Sequence, residues 1–344
     1  MKRLAGAGTV ALLALAGASL AGESQGKYSF VKEIQVGGEG GWDYLSVDES
    51  ARRLYVTHAT KVVVIDLNKD QVVGEIADTK GVHGFALAPK LHRGFASNGQ
   101  TATVSIVDLD TLKTVATVPT GDKPDAILFE PGREEVYAFN GKGNSVTVFA
   151  AATGKVVATV PLSGKPEFAA CDPAAGRVYC NIEDKSELVE LDTGTHAVVN
   201  TWPIAPGEEA SGLDIDVAHH RLFIGCHNKL MLMMDSTSGK VLGSVPIGES
   251  VDANAFDPGT QLAFSSNGDG TVTIAHEDAP DKLTVVQSLA TERGARTMAL
   301  DLSSHRIYLA SAKYEPAEPG QKRRKIISGS MKILVYELTN GAGG

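Results

Sequence analysis

Asp43-Tyr44-Leu45-Ser46-Val47-Asp48 recurs down the chain as His83-Gly84-Phe85-Ala86-Leu87-Ala88, Asp125-Ala126-Ile127-Leu128-Phe129-Glu130 and Glu167-Phe168-Ala169-Ala170-Cys171-Asp172. It continues as Ser211-Gly212-Leu213-Asp214-Ile215-Asp216, Asp252-Ala253-Asn254-Ala255-Phe256-Asp257 and Arg296-Thr297-Met298-Ala299-Leu300-Asp301. The seven copies start 40, 42, 42, 44, 41 and 44 residues apart. A fixed period of roughly 40 residues marks a repeat architecture, in which one supersecondary unit stacks on copies of itself.

Each copy reads as four short strands, because runs rich in Val, Ile, Tyr and Thr alternate with Gly, Asp, Asn and Pro clusters. The first strand ends in a turn such as Glu130-Pro131-Gly132, and the second carries an aromatic, as in Leu54-Tyr55-Val56. The third is a Val/Ile run such as Val62 to Asp66, and the fourth follows a turn such as Thr153-Gly154-Lys155. Such a meander cannot bury both faces alone, and radial stacking buries them, so the expected fold is all-β, a seven-bladed β-propeller of four-stranded antiparallel blades. The seventh copy stops after its third strand, whereas residues 28–37 match a fourth strand. The N-terminal strand is therefore expected to complete the C-terminal blade and close the ring.

The Leu54-Tyr55-Val56-Thr57-His58 segment and its kin Val136-Tyr137-Ala138-Phe139-Asn140 and Ala263-Phe264-Ser265-Ser266-Asn267 resemble the YVTN-repeat, YncE-like propeller family over residues 28–338. The motif's Asn is replaced by His58 in the first copy and Ser311 in the seventh. The resemblance implies an exported seven-bladed propeller and brings with it nucleic-acid binding as one function to weigh. It transfers no catalytic residue.

The chain divides into residues 1–21, read as a signal peptide, and 22–344, read as one propeller domain. Lys2 and Arg3 precede an apolar run from Leu4 to Leu20, and Ser19-Leu20-Ala21 offers small residues for cleavage. The competing reading is an uncleaved anchor, for which the Gly-rich run is short. The expected location is the periplasm or the extracellular space. Cleavage leaves 30 basic against 41 acidic residues, a net charge of about −11, which argues against nucleic acid as a partner. The three cysteines, Cys171, Cys180 and Cys226, leave at least one free thiol; Cys171 and Cys180 flank a hairpin turn that permits a bridge without requiring one.

The positions opening the inner strands ring one mouth of the channel. Asp43, His83, Asp125, Glu167, Asp252 and Arg296 form the candidate ligand site, with Asp43, Asp125 and Asp252 the candidate metal ligands. Clustered carboxylates raise one another's pKa or recruit a cation. No cofactor is evident, but an oxygen-rich rim suits a divalent cation such as Ca²⁺, and equally a cationic small molecule. The long seventh-blade loop, residues 311–330, carries Lys322, Arg323, Arg324 and Lys325; it is expected on the mouth face, within reach of the acidic rim or of an anionic partner. Cys226, His227, Met231, Met233 and Met234 read as core and turn residues. His219-His220 reads as an exposed turn, and the acids of 183–187 and 276–278 have no assignable partner.

Three functions compete. The favoured one is a noncatalytic binding or scaffold propeller, using the mouth face for a small ligand or a periplasmic or extracellular protein. The second is a metal-dependent, lactonase-like hydrolase with its metal on the acidic rim. The third, by family resemblance, is a nucleic-acid binder. No nucleophile elbow, P-loop or metalloprotease motif is present. One chain closes its own ring, so a monomer is expected.

Overall fold

The computed structural model describes residues 26–316 and 324–339; the leader and Lys322 and Arg323 lie outside them. Seven four-stranded antiparallel sheets follow one another around a ring. The inner strands are Trp42–Asp48, Val82–Ala88, Pro124–Glu130, Pro166–Asp172, Ala210–Asp216, Val251–Asp257 and Met298–Asp301. The seventh begins at Met298 rather than at Arg296. In the other six, one residue ahead of the repeat motif pairs with the second strand, for example Trp42 with His58. In blade 7 that rung is missing, and Ser311 turns its hydroxyl onto Glu292 instead.

The ring closes as its unequal ends require. Lys27–Gln35 pairs antiparallel with Lys332–Thr339, from Lys27 opposite Thr339 to Gln35 opposite Lys332. The third strands of blades 1 to 6 are buried along their middle residues, because both faces of each sheet are covered by neighbours. Apolar side chains accordingly form seven clusters, one per junction between blades. Tyr55, Val62 and Val64 of blade 1 pack with Phe85, Ala96 and Val107 of blade 2, and Ile34, Leu54 and Val63 pack with Tyr308 and Ile333 where blade 7 meets blade 1. Met231, Met233 and Met234 are fully buried core residues.

Most inner strands end in an acid that works for the fold. Asp48, Glu130, Asp172, Asp216, Asp257 and Asp301 each accept backbone N–H groups from the turn that follows, replacing the water those donors would lose. All three thiols are free. Cys180 sits opposite Ala169 and Cys171 opposite Val178, two rungs away, so the two cysteines are diagonal neighbours at about 7–8 Å, beyond easy disulfide reach. No helix among the described residues is long and apolar enough to cross a membrane.

Candidate functional site

The seven first positions of the repeat motif converge on one mouth of the channel, where they wall a cavity of about 1110 Å³. Asp43, His83, Asp125, Glu167, Ser211, Asp252 and Arg296 all line it. They are largely withdrawn from solvent: the side chain of Asp125 is 10% exposed, Glu167 17% and Asp252 18%. Arg296 is half exposed and stands at the outer edge.

The groups pair in a definite pattern. His83 Nδ1 lies 2.7 Å from Asp43 Oδ2 and 3.3 Å from Asp125 Oδ1, so one imidazole bridges two carboxylates. Lys123 Nζ donates to Asp125 at 3.3 Å, and Arg296 Nε sits 3.1 Å from Asp252 Oδ2. Lys165 Nζ donates to Glu167 at 3.0 Å and also pairs with Glu183. The sequence grouped Asp252 with Asp43 and Asp125 as metal ligands. In the fold, His83 is the third member of that trio, with all three ligand atoms within 4.8 Å of one another, while Asp252 is engaged by Arg296.

Burial and crowding set the charge states. Burial raises Asp43, with Asp125 adding repulsion against the counter-pull of His83. Burial and the neighbouring Asp125 push Glu167 up to about 7, and burial pushes Asp252 up to about 6 despite Arg296. Burial disfavours the charged ring of His83, but the hydrogen bond with Asp43 and the charge of Asp125 outweigh it and raise its pKa. The carboxylates are thus held in a field that any added positive charge relieves.

Two large aromatic side chains meet across the channel. Second positions of the motif are Gly84, Ala126, Gly212, Ala253 and Thr297, all small, but Tyr44 and Phe168 are large. These two reach from blades 1 and 4 and meet with ring centroids 4.5 Å apart, tilted by 33°. Tyr44 packs on the apolar cluster between blades 3 and 4, and Phe168 on the clusters flanking blades 5 and 6. Both rings also line the cavity, so the mouth is a cup with acidic walls and an aromatic floor.

Sequence reading missed that floor, although the contrast in size at one repeat position carried it. It also missed Lys123 and Lys165, which stand two residues before Asp125 and Glu167. Glu183, which had no partner in the sequence, turns into the cup, and so does His227.

The described residues of the seventh-blade loop do not line the cup. An isolated antiparallel bridge joins Tyr314 to Ile326. Tyr314, Arg324 and Ile326 instead line a side cavity of about 440 Å³ with Trp42, Arg293 and Arg296. Lys325 is exposed, and its carbonyl accepts the Glu315 N–H at 2.9 Å.

No protein-family model matches the chain, and no curated protein matches it. Among solved structures it is similar to hydrazine synthase of Kuenenia stuttgartiensis, with a TM-score of 0.70 and 15% identity over 82% of this chain and 94% of that one. At that identity the likeness concerns the propeller fold alone.

Proposed function

We propose that the chain is an exported, noncatalytic binding propeller whose mouth cup holds a small organic cation. The observation that carries this reading is the pairing of three charge-suppressed carboxylates, Asp43, Glu167 and Asp252, with the meeting aromatic rings of Tyr44 and Phe168. Carboxylates satisfy an ammonium group electrostatically, and the face of an aromatic ring attracts the same charge through its quadrupole. A cup that offers both favours an amine over a hydrated metal ion or an anion. The reading takes residues 1–21 as the export signal and is compatible with the YVTN-repeat resemblance.

One observation favours a second reading. The Asp43, His83 and Asp125 trio has ligand spacing for a divalent ion, which would underlie a metal-dependent hydrolase.

Both are tested by titrating the chain from Gly22 with a diamine, a quaternary ammonium, Ca²⁺ and Zn²⁺, followed by calorimetry and melting temperature. The amine reading expects the organic cations to bind, and Asp43→Asn or Glu167→Gln to weaken them about 10- to 100-fold, the worth of one charge-assisted contact. Tyr44→Ala should weaken the quaternary ammonium more than the diamine. Binding of metal alone, lost in His83→Gln, would transfer the site to the second reading.

A further inference from the structure

On the face of the ring opposite the cup, blade 6 breaks the repeat. The residue at the outgoing end of each third strand is Leu67, Leu109, Ala151, Thr193, Ser236, Glu277 and Leu338 in turn, the last two within strands Thr271–Ala279 and Lys332–Thr339. In the first six its N–H bonds the carbonyl before its own blade's second strand, so these positions are equivalent. Five hold small or apolar side chains, and blade 6 holds an acid that is only 5% exposed.

Glu277 faces two groups of blade 5. Asp216, 3% exposed, ends that blade's inner strand, and His219 sits in the turn that follows, its Nδ1 2.5 Å from Asp216 Oδ2. One ligand atom from each of the three residues lies within 4.8 Å of the others. Asp216 accepts the turn N–H of Ala218 on its other oxygen, Oδ1, so its carboxylate is held in place between that turn and His219. Oε2 of Glu277 is buried without any hydrogen-bond partner. A buried oxygen left without a partner costs free energy unless something compensates it. The nearby guanidinium of Arg221 is already committed to Asp235 and to the carbonyl of Pro280.

We infer that Asp216, His219 and Glu277 form a site for a divalent transition-metal ion that clips blade 5 to blade 6. Two carboxylate oxygens and one imidazole suit zinc and its neighbours better than calcium, which prefers oxygen alone. Ligand atoms on one such ion stand about 3–4 Å apart, and His219, half exposed at its turn, is the member free to adjust. The site is distinct from the cup.

Cobalt(II) and zinc titrations of the chain from Gly22 test this, run in an Asp43→Asn/His83→Gln background so that the cup cannot contribute. The expected results are one cobalt ion per chain, with visible absorption bands displaced by zinc, and a melting temperature raised by about 3–6 °C at a hundredfold excess over Kd. Glu277→Leu restores the residue of blades 1 and 2, so it should fold and melt higher than its parent without metal, yet show no cobalt bands and no zinc response. His219→Ala should weaken binding at least tenfold. The inference is overturned if the parent binds no ion at neutral pH, or if Glu277→Leu binds as the parent does.

Discussion

Tyr28→Ala is expected to lower the unfolding free energy by about 3–5 kcal/mol, the range for truncating a fully buried aromatic side chain. Tyr28 is 2% exposed and meets Phe264 edge-on at 5.3 Å. Its hydroxyl donates to the His305 carbonyl at 2.8 Å. Gln287 of blade 6 clamps its backbone, accepting from the Tyr28 N–H at 2.9 Å and donating to the Tyr28 carbonyl at 2.8 Å. This residue therefore anchors the closing strand in the junction of blades 6 and 7. Each blade buries both faces only while the ring is shut, so the cost is felt beyond one pocket. Tyr28→Phe keeps the ring and loses one hydrogen bond, for which about 1 kcal/mol is expected. Denaturant midpoints and slopes read both values. A loss below about 1 kcal/mol for the alanine variant would mean that the latch holds by backbone pairing alone.

The second large effect is a dependence of stability on pH set by the cup. The Glu167 carboxyl is raised from 4.5 to about 7, so the folded chain holds a proton that the unfolded chain releases. The sign follows by linkage: the contribution is complete below about pH 4.5 and is lost as pH rises through 7. A shift of that size corresponds to about 3 kcal/mol. Asp252, raised to about 6, adds a loss of the same sign at lower pH. Glu167→Gln should therefore nearly match the parent at pH 4.5 and exceed it by about 3 kcal/mol at pH 8. An equal difference at both pH values would show that Glu167 is not a proton-holding group. The same ionisations make the cup more negative, so binding of an organic cation should strengthen from pH 5 to pH 8.

The ring positions of Asp43, His83, Asp125, Glu167, Asp252 and Arg296 were legible because the repeat aligns residues that share one level of the channel. Their pairing was not. Which carboxylate His83 bridges and which one Arg296 engages depend on side-chain reach between neighbouring blades. The spare acids of the sequence also divided only in three dimensions. Asp48, Asp172 and Asp301 bind turn N–H groups, while Glu183 faces the cup and Glu277 faces Asp216. Trp42 and Arg324 read as unrelated in the sequence, and the fold brings both to one side cavity, beside the Tyr314–Ile326 bridge.

The sequence by itself determined the seven four-stranded blades and the closure by the N-terminal strand. Strand alternation, turn residues and a repeat of roughly 40 residues are local signals, and unequal ends leave one way to complete the last sheet. Tertiary structure alone decided the contacts across the ring. Tyr44 meets Phe168 from blades 1 and 4, and Glu277 meets Asp216 and His219 across the junction of blades 6 and 5. A repeat specifies the height and radius of each residue, whereas the meeting of two side chains from different blades depends on the curvature of the closed ring and on small residues clearing the space between them.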